Sequence, residues 1–251
     1  MIVNLTRDGW EVIYHRAHAL LAAQLAGQWR KADAPEQLYE TIAAIAHHDD
    51  LEREWEGDEL TPVGAPLDFT LAQGGDSVEP LRQHILEARY RGRWVTLLTS
   101  KHVCFLNQTK WGENQEWDDF LNEQVELQER YRKELGITKK QSERAYQFMR
   151  WCDRLSLILT QRQIPDAGRA VEITSDLDGQ RYELRQVEDD KVTVEPWPFE
   201  EDEFIVNVES ACLTKLQFKN HEELVAALDS APIKQVDWTF SKAKSSPKKS
   251  E

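Results

Sequence analysis

Four stretches of this chain repeat their apolar residues at helical spacing, and each sets an ionisable side chain on the apolar stripe. In LYETIAAIAHHD, residues 38–49, Leu38, Ile42 and Ile45 form a stripe that arrives at His48 and Asp49. His18 shares a face with Leu21, Leu25 and Trp29, with His15 one turn earlier at its edge. His102 falls in register with Trp94, Leu98 and Phe105, and Asp153 with Tyr146, Met149 and Leu157. An isolated charge in an apolar interior is costly, so these helices must fold in a way that brings the polar groups to partners, to a cation or to a metal ion.

The helical pattern accounts for roughly the first two thirds of the chain. Residues 9–30, GWEVIYHRAHALLAAQLAGQWR, read as a first long helix, which Asp33, Ala34 and Pro35 end. The next helix carries the His48 and Asp49 pair to about residue 54. Residues 57–77 are rich in proline and glycine and lack periodicity, a candidate lid or pocket wall that Phe69 could anchor. Helical character returns over 78–109 with a break near Arg91 and Gly92, over 114–135 where Gly136 stops the helix, and over 138–162.

After Pro165 the period changes to alternation between turn signals such as Asp178-Gly179 and Asp189-Asp190, the pattern of antiparallel strands. The expected fold class is α+β: a mainly α-helical N-terminal domain, 1–165, followed by a small antiparallel β-rich module, 166–240. The lysine and serine tail, 241–251, reads as disordered.

Charge narrows the partners. The net charge is −14, and the last eleven residues, with four lysines and one glutamate, contribute +3, leaving about −17 on the body. Such a body is no surface for nucleic acid, although a local pocket can still take a small anionic substrate. No apolar run is long enough to span a membrane, and MIVNLTRDGW lacks the layout of a signal peptide, so a cytoplasmic protein is expected. Cys104, Cys152 and Cys212 are odd in number and far apart, which suits buried thiols in a reducing compartment. Nothing in the sequence sets the oligomeric state.

Imidazole nitrogens and carboxylate oxygens held on separate helices suit a divalent transition metal, so His18, His48, Asp49, His102 and Asp153 are the candidate ligands. His47 lies about 100° round the helix from His48 and is expected exposed or behind the ligands. His84 and His221 stand among polar neighbours and are expected at the surface. Glu195, Pro196, Trp197, Pro198 and Phe199 alternate prolines with aromatics, the composition of a packed sheet edge. Ser100 and Ser156 have no GxSxG elbow, and Gly74-Gly75 lacks the lysine of a phosphate loop.

A histidine on an early helix, a His-Asp dyad about thirty residues later and a later aspartate on another helix resemble the HD (histidine-aspartate) phosphohydrolase superfamily, over about residues 13–160. The resemblance implies an HD-like helical domain in which His18, His48, Asp49 and Asp153 hold one or two divalent ions such as manganese, iron or zinc. It implies further that Asp49 can bridge a second ion, and that His102 acts as ligand or phosphate contact. Where many HD enzymes have glycine and lysine after the dyad, this chain has Asp50, Leu51 and Glu52, so Lys101, Arg150 and Arg154 are the candidate phosphate-binding cations. The segments AHALLAAQLAGQW, HHDDLEREW, SKHVCFL, DRLSL and EPWPF also resemble a bacterial family known as domain of unknown function 3891, over nearly the full length.

These features favour a metal-dependent hydrolase of the HD type acting on a phosphate ester or nucleotide, with His102 and Asp49 as catalytic candidates. A di-iron oxygenase-like HD protein and a non-catalytic, metal-braced binding protein are the alternatives.

Overall fold

In the computed structural model, which describes residues 1–51, 59–72, 77–175, 179–188 and 191–243, the chain begins in strands. Ile2–Thr6 (β1) and Gly9–Ile13 (β2) form a hairpin. Gly9 has φ +138°, and a Cβ there would meet the Leu213 carbonyl oxygen at 1.9 Å, so only glycine lets the hairpin come this close to its neighbour.

The helices follow: α1 His15–Gly27, α2 Leu38–His47, α3 Glu79–Ala88, α4 Arg93–Leu106, α5 Gln115–Glu134 and α6 Lys139–Thr160. Gly92, at φ +106°, makes the expected break between α3 and α4. Thr138 and Gln141 cap α6 reciprocally. Then come β3 Ala170–Ser175, β4 Arg181–Glu188, β5 Lys191–Glu195, β6 Glu203–Leu213, α7 His221–Asp229 and β7 Ile233–Ser241.

All seven strands join one sheet in the order β1-β2-β6-β7-β5-β4-β3, antiparallel except for the β5–β7 pair. Alternation along β6 sends Val206 and Val208 to the face covered by α1 and α6, and Ala211 and Leu213 to the face that α7 covers. Gln24 on α1 locks that helix to β6 by exchanging two hydrogen bonds with the Asn207 backbone, at 2.9 and 3.1 Å.

This corrects the expected α+β class of a mainly α-helical, HD-like N-terminal domain followed by a small antiparallel β-rich module. Among the described residues helix accounts for 47% and strand for 23%, and the sheet takes its first two strands from the N-terminus, so it is a principal layer of the molecule. The physical reason is the shared core: Leu21, Leu25, Met149 and Leu155 of α1 and α6 are buried against Val194, Val206 and Phe240 of the sheet. The first helix is correspondingly shorter than its expected 9–30, because residues 9–13 pair as a strand with β1 and β6. The helix ahead of Asp49 ends at His47 rather than near 54. The turn at Asp189-Asp190 and most of the tail lie outside the described residues.

Candidate metal centre

Each proposed ligand arrives from a different direction. His18 comes from the first turns of α1, His48 caps α2 and Asp49 follows it, His102 lies on α4 and Asp153 on α6. The three histidines are almost fully buried, whereas the aspartate side chains keep 21% and 17% exposure, so the cluster opens to solvent on its carboxylate side. His18, His48 and Asp49 place donor atoms within 4.8 Å of one another, and so do His48, His102 and Asp153. The structure thus brings together all five residues singled out by sequence, and these groups could hold a metal ion.

Hydrogen bonding fixes which nitrogen each ring presents. The Ser156 hydroxyl donates to the Asp153 carbonyl oxygen at 2.8 Å, so its oxygen accepts from His18 Nδ1 at 2.9 Å. His18 therefore turns Nε2 toward the site, where it pairs with Asp49 Oδ2. His48 repeats the pattern: Nδ1 donates to the Ile45 carbonyl oxygen at 2.5 Å, and Nε2 stands 3.4 Å from Asp49 Oδ2 and 3.3 Å from Asp153 Oδ1 with no hydrogen-bond partner. A carboxylate facing an imidazole nitrogen is answered by a proton or by a cation held between them. The spacing suits a cation, since neighbouring donors about 2.1 Å from an ion are about 3 Å apart.

The electrostatics carry the same preference. Burial disfavours a charged His48, yet the Asp49 and Asp153 carboxylates override it and raise its pKa to about 10. Burial also opposes the charge on both aspartates, but His48 and its neighbours hold them below the usual carboxylate range. His102 is pushed down to about 4 by burial and by His48, which keeps it neutral and able to ligate. Its Nδ1 lies 3.4 Å from the Tyr146 hydroxyl, whose own pKa burial pushes up.

A collar around the turn after α2 escaped the sequence reading. Asp50 accepts from His47 Nδ1 at 2.6 Å and Arg91 Nη2 at 3.2 Å, while Arg16 Nη2 donates to its carbonyl oxygen at 2.7 Å. His84, expected at the surface, is 3% exposed, and its Nε2 donates to the His48 carbonyl oxygen at 3.1 Å. His47 is buried too, with its ring 4.5 Å from that of His84. His15 packs edge-on against Phe69 at 4.8 Å and lies 5.9 Å from His18, so the loop carrying Phe69 forms a wall beside the first ligand. His221 begins α7 on the opposite face of the sheet. Ser156, unsuited to act as a nucleophile, instead orients His18; its spacing of three from Asp153 on the same helix was the available signal.

Fold and site together define a mixed helix and sheet protein with a buried histidine and aspartate cluster that could hold a metal ion. The chain belongs to a family described as protein of unknown function, DUF3891, whose model matches residues 1–215. No curated protein and no solved structure matches the chain. Among the described residues, no helix is long and apolar enough to cross a membrane.

Proposed function

We propose that the protein is a metal-dependent hydrolase acting on a phosphate ester, with a histidine and aspartate site that resembles the metal-site pattern of the HD enzymes. One observation carries the reading: Ser156 and the Ile45 carbonyl hold the Nδ1 atoms of His18 and His48, so that both Nε2 atoms face the carboxylates of Asp49 and Asp153. His48 Nε2 has one lone pair and serves one ion, so the two donor groups that share it describe a single site. His18, His48, Asp49, His102 and Asp153 would hold a divalent ion such as manganese, iron or zinc, with five donors for a metal that accepts up to six. When bound, such an ion supplies Lewis acidity and a water of lowered pKa for attack on phosphorus.

The chain's own groups orient and gate this chemistry. Ser156 and the Ile45 carbonyl hold the two imidazoles, Tyr146 meets the third, and Phe69 with His15 walls the site on the α1 side. Asp49 and Asp153 line the solvent-facing side, where substrate enters. The three free cysteines accord with a cytoplasmic setting.

Metal analysis of protein purified without chelators tests the reading, paired with hydrolysis of a panel of phosphate esters and nucleotides. The expected result is about one ion per chain and turnover that Asp49→Ala abolishes while the fold is retained. A protein that neither carries nor takes up manganese, iron or zinc refutes it.

A further inference from the structure

Resting on the reading above, we propose that Arg150 grips the phosphoryl group of the substrate and that the substrate is a phosphomonoester. A divalent ion held by Asp49 and Asp153 together with neutral histidines would have its charge cancelled, and the folded body is strongly acidic. Recruitment of an anion therefore requires a cationic side chain close to the ligands.

Three candidates flank the ligands in sequence, and the structure separates them. Lys101 is buried and ion-paired with Glu143, so its charge is already matched. Arg154 lies about 100° round α6 from Asp153 and Arg150 about 60°. The Arg150 guanidinium stacks over the Phe105 ring at 3.8 Å. Phe105 is three residues beyond His102 on α4, and Arg150 three before Asp153 on α6, so the stacked pair lies one helical turn from a ligand on each helix.

Arg150, like Arg154, has no carboxylate within ion-pair distance among the described residues, whereas Arg16, Arg30, Arg82, Arg91, Arg93 and Arg162 all do, so position on α6 and the Phe105 stack decide between the two. Phe105 holds the guanidinium plane, which leaves its N–H edge for a ligand. A guanidinium fork takes two oxygens and an ion a third. A phosphomonoester offers three non-bridging oxygens and a diester only two, which selects the monoester.

The experiment is isothermal titration of the full-length protein with manganese, then with inorganic phosphate and with dimethyl phosphate. The wild type is expected to bind phosphate at least about tenfold more tightly than the diester. Arg150→Gln should keep its manganese affinity and lose phosphate affinity on the order of 10- to 100-fold. If that variant melts early, Arg150→Lys carries the comparison, since it keeps the charge and the stem over Phe105 but lacks the fork, and an intermediate loss is expected. Unchanged phosphate affinity in the variants, or equal affinity for the diester, overturns the assignment while the metal reading stands. Wild-type protein that takes up no manganese overturns both.

Discussion

The hydroxyl proton of Ser156 decides which nitrogen His18 offers. Because that proton goes to the Asp153 carbonyl, the oxygen can only accept from Nδ1, and Nε2 is left for the site. Ser156→Ala removes the acceptor without a large change in volume. Metal affinity is expected to fall about 10- to 100-fold, the usual effect of losing a group that orients a ligand, and the metal-free protein should lose about 1–3 kcal/mol of stability because buried His18 Nδ1 loses its acceptor. Titration calorimetry with manganese or zinc measures it, and wild-type affinity in the variant would remove Ser156 from the site. His48 yields a second expectation. Against burial, Asp49 and Asp153 raise its pKa from 6.5 to about 10 in the metal-free fold. A raised folded pKa contributes stability that is fully present below about 6.5 and is lost as pH rises through about 10; the lowered pKa values of Asp49 and Asp153 contribute stability above their ordinary range that is lost in acid. An ion displaces the His48 proton, so metal uptake near pH 8 should release about one proton, seen by calorimetry in buffers of different ionisation enthalpy. The alkaline loss of stability should vanish in the metal-loaded protein. Uptake without proton release contradicts this account of the site.

The turn after α2 carries two proposed ligands in succession, and elements distant in sequence hold it. Arg16 of α1, His84 of α3 and Arg91 beyond it all bond to residues 48–50. His84→Phe keeps a buried ring but strips the His48 carbonyl of its donor, at a cost of about 1–3 kcal/mol. Thermal melts of the metal-free protein should show that loss, and metal affinity should fall as Asp49 drifts; a variant with unchanged melt and affinity would show the collar to be idle. The proposed ligands were legible as a cluster because helical stripes are local: His18, His102 and Asp153 each stand in register with apolar neighbours on the same helix. The collar was not, since Arg16, His84 and Asp50 look like ordinary polar surface until α3 and α1 meet the turn. The strand at Gly9–Ile13 was hidden for a related reason. Five residues are too few to establish a period of two beside a long alanine and leucine helix, and the pairing partner β6 lies about 200 residues away.

At the scale of the molecule, the two ends of the chain build one sheet and the middle builds the site against it. β2 pairs with β6, and Arg162 after α6 reaches back to clasp buried Glu11 on β2, with Asn4 bonded to Glu11 and to the Thr160 carbonyl. α1 and α6, which carry His18 and Asp153, turn their apolar faces to Val194, Val206, Val208 and Phe240. A fragment ending at residue 165 retains every proposed ligand yet leaves those faces bare and the β1–β2 hairpin without its neighbour. Loss of this apolar burial is expected to exceed the 5–15 kcal/mol by which a domain is ordinarily stable. The fragment should therefore show no cooperative thermal transition and no stoichiometric metal uptake, although its ligand set is complete. Circular dichroism melts and metal titration of residues 1–165 beside the full chain make the comparison. A fragment that melts cooperatively and binds one ion would mean that the helices form the site without the sheet, and would return the molecule to two independent units.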